Sequence, residues 1–218
     1  MSLAKAIGEI SAPKFQVIIL AGGRGSRMGG ISKGEIKVNG RRLIDIIIEN
    51  IYKSLGSSTP ITVVHPTGIP GLTPEIKQVS EAPIYGGPVA GIGAACAEFA
   101  TGKYIAICAV DAPYSPYLFP QLTALLESSE TAEVAVVATP DPNSGESRIN
   151  PLCAIWEYSA LKKRLANLGE LQNQAVFALL KKASKALFPG NGQEKDYDTL
   201  ADLAVLGEVQ LPGKYYCL

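Results

Sequence analysis

Between Leu20 and Gly34 the chain reads LAGGRGSRMGGISKG, with six glycines in residues 22–34 and three cations, Arg24, Arg27 and Lys33. Glycines without a Cβ let the backbone approach a ligand closely and aim several N–H groups inward. Arginine grips phosphate oxygens through paired N–H bonds, and lysine adds a mobile point charge. Together they predict a loop that holds a polyphosphate. It is not a Walker loop, which ends in Gly-Lys-Ser/Thr, because here Gly34 is followed by Glu35. Nor is it a dinucleotide fingerprint, because Met28 stands where a third Gly or Ala is needed.

Two aspartates could supply oxygen ligands for Mg²⁺, which is commonly held by one or two carboxylates plus substrate phosphates. Asp111 closes the apolar run Tyr104–Val110 and precedes Pro113, so it reads as a metal ligand or as a turn aspartate. Asp198 precedes Thr199 and Asp202 and reads equally as a ligand or as a helix cap. Gly87-Pro88-Val89-Ala90-Gly91 opens a helix. Its small residues serve either close packing on a sheet or room for a base and ribose. His65, the only histidine, reads as a loop or partly buried residue rather than an acid–base group. Arg148 could meet an acceptor's phosphate or form a surface ion pair, and Trp156 and Tyr158 read as core or rim residues.

The elements that must position these groups alternate between strand and helix. Strands are expected at Phe15–Ala21, Ile61–Val64, Ile76–Val79, Tyr104–Val110, Val134–Thr139 and Leu152–Trp156, with short candidates at Ala186–Phe188 and Lys195–Tyr197. Helices are expected at Leu43–Leu55, Pro88–Ala100, Pro116–Leu126, Ala160–Leu168, Ala175–Lys185 and Thr199–Leu206. Asn39-Gly40 marks a tight turn, and Pro142–Gly145 a plain loop. The alternation predicts an α/β fold with a Rossmann-like, predominantly parallel sheet and helices on both faces, in one domain spanning residues 1–218. Ligands of such sheets bind beyond the carboxyl ends of the strands, where Gly22 and Asp111 fall.

Composition bounds the partners. The 218 residues are 47% hydrophobic and 18% charged, and 20 basic residues balance 20 acidic ones. No overall positive field recruits nucleic acid or an anionic membrane, so phosphate recognition must be local. The apolar run at Phe15–Ala21 is too short to span a bilayer, and what precedes it lacks the layout of a secretory signal. Cys96, Cys108, Cys153 and Cys217 have no zinc or redox spacing and are expected as buried free thiols of a cytoplasmic protein.

The segment LAGGRGSRMGG with Lys33-Gly34 resembles the signature of the MobA-like nucleotidyltransferases, the molybdenum cofactor guanylyltransferase family. The likeness continues through Gly87–Ile92, Asp111–Tyr114, Arg148–Ala154 and Asp196–Leu203, over about residues 15–206. It implies Mg²⁺-dependent transfer of GMP from GTP to the terminal phosphate of molybdopterin, with transient contact to other cofactor-biosynthesis proteins. In the resemblance Leu20, Ala21, Gly22 and Lys33 match nucleotide-binding positions, Asp111 matches the Mg²⁺ ligand, and Glu81 approximates the base-contacting acid. With the loop, helix-start and carboxylate readings above, nucleotide contacts are expected at Leu20, Ala21, Gly22, Gly23, Arg24, Gly25, Lys33, Glu81, Gly87, Gly91 and Asp111, catalytic roles at Arg27, Lys33 and Asp111, and metal ligation at Asp111 and Asp198. Four positions depart from the family. Ser32 replaces the usual Asp before the loop lysine, Glu81 replaces a base-contacting Asp, and Asp196 and Asp198 stand where Asn is usual. The last variant is more like the cytidylyltransferase relatives. The sequence therefore leaves open a CTP-using relative, a guanylyltransferase for another phosphorylated acceptor, and a nucleotide-binding regulator without turnover.

Overall fold

The computed structural model describes residues 14–23, 31–140 and 147–213. Seven strands form one sheet: β1 (Phe15–Leu20), β4 (Ile61–Val64), β5 (Lys77–Val79), β6 (Tyr104–Ala109), β7 (Val134–Pro140), β8 (Ser147–Glu157) and β9 (Lys185–Pro189). Their order is β5-β4-β1-β6-β8-β7-β9. Only β8 runs antiparallel to its neighbours. β1 lies between β4 and β6, with Leu20 opposite both Val64 and Ala109, so three parallel strands end level with one another.

The continuous apolar strands have two faces because successive side chains point oppositely. Val17, Ile19, Ala106 and Cys108 face α1 (Leu43–Leu55) and α3 (Phe119–Glu127), through Ile44, Ile47, Phe119 and Leu122. Ile18, Ile105 and Ile107 face α2 (Pro88–Ala97), α4 (Tyr158–Leu168) and α5 (Phe177–Leu180), through Ile92, Leu161 and Leu179. Helices thus cover both faces, as the alternation predicts. Cys96, Cys108 and Cys153 are buried free thiols, while Cys217 lies outside the described residues. Among the described residues no helix is long and apolar enough to cross a membrane.

Several expectations are corrected. β8 begins at Ser147, five residues before the expected Leu152, and its pairing with β7 breaks between Val136 and Val137. Pro151 cannot donate a ladder bond, and the register jumps over residues 151–153 in a bulge. The helix expected over Ala175–Lys185 is only Phe177–Leu180, because Lys185 already pairs with Val134 at the start of β9. Lys195–Tyr197 is irregular rather than a strand. The helix expected from Thr199 is α6 (Leu200–Ala204). A small sheet absent from the sequence reading joins β2 (Lys37–Val38), β3 (Arg41–Arg42) and β10 (Val209–Gln210). The expected Asn39-Gly40 turn links its first two strands, with φ of 50° and 78°. Trp156 is a core residue at 1% exposure, and the Tyr158 hydroxyl donates to the Phe99 carbonyl.

Candidate active site

Three chain exits converge above the level ends of β4, β1 and β6. The Ala21 N–H donates to the Val64 carbonyl and the Val110 N–H to the Leu20 carbonyl, each at 3.0 Å. This ladder carries Gly22, His65 and Asp111 to one rim. A cleft of about 310 Å³ opens there. Leu20, Gly22, Gly23, Glu81, Gly87, Gly91 and Asp111, all named from the sequence, line it. Ala21 is buried directly behind it. Arg24, Gly25 and Arg27 lie outside the described residues.

Local packing explains the glycines. A Cβ on Gly22 would come within 3.2 Å of Pro66 Cδ. Gly87 has φ of 96°, a conformation that favours glycine, at the entry to α2. A Cβ on Gly91 would sit 2.9 Å from Val64 Cγ1, so its absence lets α2 lie on β4 while its backbone lines the cleft. Leu152 also lines the cleft, which the bulge in β8 makes possible. Sequence reasoning missed it, since nothing in a strand pattern marks a bulge of this length.

Glu81 is 7% exposed. Its Oε1 accepts from the Tyr85 N–H at 3.1 Å. Its Oε2 is buried with no hydrogen-bond partner among the described residues. A buried polar atom left unpaired costs about 1–3 kcal/mol and more when charged, so this oxygen is poised for a donor from a bound molecule. Tyr85 holds its backbone at φ of 64° beside it.

At the other end of the cleft is a charged cluster. Lys33 begins a 3₁₀ turn, Lys33–Glu35, seated by Gly34, where a Cβ would meet Ile69 Cδ1 at 2.8 Å. Lys33 Nζ donates to Asp111 Oδ2 at 2.9 Å and to Asp198 Oδ1 at 2.7 Å. Burial alone would lower the Lys33 pKa, but the hydrogen bonds and charges of Asp111 and Asp198 more than offset it, and the pKa is raised. The turn bearing Asp111 is steadied from α1, where the buried Asn50 amide donates to the Pro113 carbonyl at 2.9 Å.

Asp198 arrives on an irregular segment. The Tyr197 N–H donates to the Asp111 carbonyl at 2.8 Å, joining the two aspartates through the backbone. The cap of α6 is Thr199, in a reciprocal box with Asp202, so the capping alternative for Asp198 is not the one realised. Asp196, named in the sequence only as part of a motif, joins the same electrostatic group. Burial, then repulsion from Asp111 and Asp198, pushes its carboxyl up to about 6.

No group of three or more His, Cys, Asp or Glu side chains is arranged to hold a metal among the described residues. Two carboxylates that already share one ammonium nevertheless form a fitting donor pair for Mg²⁺, which draws its remaining ligands from phosphate and water. Beyond Asp198 a second cleft, about 520 Å³, is lined by Arg148, Asn150, Phe177, Lys195 and Asp196 among others. Arg148 therefore lies inside β8 and faces this cleft rather than preceding the strand. His65, discounted in the sequence, is 7% exposed and meets Ser32 Oγ through Nε2 at 3.2 Å. Its position just after a parallel strand was the signal that could have found it.

Residues 17–186 match the family model described as the MobA-like NTP transferase domain. The molybdenum cofactor guanylyltransferase of Cupriavidus pinatubonensis is 28% identical over 193 residues, covering 85% of this chain and 92% of that protein. Among solved structures, molybdopterin-guanine dinucleotide biosynthesis protein A from Archaeoglobus fulgidus superposes with a TM-score of 0.62 at 20% identity, covering 88% of this chain and 96% of that one. A 4-diphosphocytidyl-2C-methyl-D-erythritol synthase from Anaerococcus prevotii gives a TM-score of 0.65 at 12% identity, over 89% and 94%. At these identities the two structures establish a shared fold.

Proposed function

We infer that this chain, which belongs to the MobA-like NTP transferase family and is a nucleotidyltransferase, moves GMP from GTP to the terminal phosphate of molybdopterin in the cytoplasm. The observation that carries the choice of base is Glu81, whose Oε2 lies buried and unpaired in the cleft. Guanine presents two adjacent donors, N1–H and the N2 amino group, to which a carboxylate is complementary. Cytosine offers one amino donor beside an acceptor nitrogen, which would face the carboxylate lone pairs. A site built to pair with donors disfavours a base that leaves its oxygen unpaired.

In this reading a phosphate oxygen of the acceptor attacks the α-phosphorus of GTP. The bond from that phosphorus to the oxygen bridging to the β-phosphate breaks, and pyrophosphate leaves with the electron pair. The step needs alignment and charge neutralisation more than a protein nucleophile. Lys33 supplies a mobile positive charge between the loop and the carboxylates. Asp111 and Asp198 would hold Mg²⁺, since they converge on one cation. When bound, that ion neutralises charge on the phosphate oxygens. Arg148 and Lys195, in the neighbouring cleft, are suited to the acceptor's phosphate, and the exposed ring of Phe177 to its apolar body.

A second reading, CTP in place of GTP, has one observation in its favour: Asp196 and Asp198 occupy positions where the guanylyl-transferring relatives usually carry Asn. The test is equilibrium binding of the four ribonucleoside triphosphates with Mg²⁺, followed by pyrophosphate release with and without molybdopterin. Tightest binding of GTP and release that requires molybdopterin are expected. Equal or tighter binding of CTP overturns the guanylyl assignment, and release with a different phosphorylated acceptor overturns the molybdopterin assignment.

A further inference from the structure

His65 is the only histidine of the chain, and its placement is built rather than incidental. It leaves the end of β4, where its N–H donates to the Val79 carbonyl at 2.9 Å and ties it to β5. The ring is pinned from both sides. The Thr67 N–H donates to Nδ1 at 3.3 Å, so Nδ1 is the acceptor of a neutral ring and Nε2 carries the proton. Nε2 lies 3.2 Å from Ser32 Oγ and therefore donates to it. Burial lowers the His65 pKa, which keeps the ring in this neutral form. Ser32 sits at the cap position of the Lys33–Glu35 turn, yet its side chain caps nothing, and its hydroxyl is directed to the histidine instead.

We propose that His65 is a positioning residue for the phosphate end of the site: through the Ser32 hydroxyl it fixes the turn from which Lys33 reaches Asp111 and Asp198. Lysine has a flexible four-carbon stem, so its ammonium can be aimed only if its backbone is held. Gly34 and Ile69 hold that backbone below, and the His65–Ser32 bond holds it at the residue directly before Lys33. A charged group is placed accurately when a supporting hydrogen bond locks the segment that carries it. The serine that departs from the family pattern is in this account the half of a pair whose other half is His65. The inference rests on the polyphosphate-binding part of the functional reading, not on the identity of base or acceptor.

The test uses inorganic triphosphate with Mg²⁺ as the probe, measured by titration calorimetry on the full chain, beside steady-state kinetics with GTP. His65→Ala is expected to weaken triphosphate binding about fivefold to tenfold, the worth of one buried hydrogen bond. It should raise KM for GTP similarly while kcat changes less than about threefold. His65→Gln, whose amide can donate from nearly the position of Nε2, should recover most of the loss. Ser32→Ala should match His65→Ala, and the double variant should lose no more than either single one. Unchanged binding in His65→Ala overturns the proposal, as do additive losses in the double variant or a His65→Gln protein as weak as the alanine variant. If the parent binds triphosphate through Lys33 but transfers no GMP, the guanylyl reading fails while this inference stands.

Discussion

The two carboxylates that meet Lys33 reach it by different means. Asp111 lies two residues beyond β6, in a sheet where β6 pairs with β1 residue by residue from Phe15–Tyr104 to Leu20–Ala109. Asp198 lies on a segment with no regular structure, held by the Tyr197 N–H bond to the Asp111 carbonyl and, further back, by side chains. Glu194, 8% exposed, accepts from Thr139 Oγ1 at 2.8 Å and from the Asn191 and Gly192 N–H groups at 3.2 and 2.9 Å. Its own carbonyl accepts from the Asn150 amide at 3.1 Å. One carboxylate is thus placed by a ladder that many residues share, and the other by one backbone bond and a few bonds around one buried glutamate. The nucleotide end should tolerate changes in its surroundings and fail through its functional groups, whereas the Asp198 end should fail through its supports.

The largest effect should come from the ladder-held residue itself. Asp111→Asn keeps the shape and removes the charge, so turnover should fall about a hundredfold or more while thermal melting stays at the parent value. Parent-like turnover in a normally folded variant would remove Asp111 from the metal assignment. Glu81→Gln should cost about tenfold in GTP affinity relative to CTP, because one of the two donors of guanine then faces an amide that can also donate. Competitive binding of the two triphosphates measures this, and an unchanged ratio would show that Glu81 does not read the base.

On the other side of the comparison, Glu194→Ala leaves the Thr139 hydroxyl and two backbone N–H groups without their acceptor and should destabilise the fold by about 2 kcal/mol. Turnover should fall with it by several-fold, since Asp198 loses its anchor. The milder Glu194→Gln brings in a pH dependence. The Glu194 carboxyl is buried, which raises its pKa, but the bonds from its own loop and Thr139 outweigh this and its pKa is lowered. A lowered carboxylate pKa contributes stability above the unfolded value, and that stability is lost as pH falls through the folded value. The melting gap between parent and Glu194→Gln should therefore be widest near neutrality and close below about pH 4. A gap that widens in acid would contradict this account of the anchor.

The smallest effect should be Asp198→Asn. Its amide oxygen can still ligate, and the neighbouring Asp111 remains, so a loss of about threefold to tenfold in turnover is expected, recoverable at higher Mg²⁺. A loss as large as that of Asp111→Asn would show that the irregular segment holds its carboxylate as firmly as the sheet does.

The contrast also separates what was legible from what was not. Runs such as FQVIILA and YIAICAV determined by themselves that strands would be buried on both faces, and alternation with helices determined the parallel sheet. The residues just after those runs, Gly22 and Asp111, were marked as rim residues by that logic alone, because ladder pairing makes the end of a strand a fixed place. The rest needed tertiary contacts. That Lys33 lies between Asp111 and Asp198, that Thr199 rather than Asp198 caps α6, and that Leu152 enters the cleft depend on side-chain bonds and a bulge that leave no periodic trace. The Lys185–Pro189 strand likewise took its first residue from an expected helix only because β7 offered an edge to pair with. Sequence carries what repeats at a period of two or of 3.6 residues, and the meeting of Ser32 with His65 or of Glu194 with Thr139 has no period. Only the folded chain, by bringing such residues within hydrogen-bond distance, decided that a discounted histidine would meet Ser32 and that the irregular segment before Asp198 would be tied to Thr139 at the end of β7.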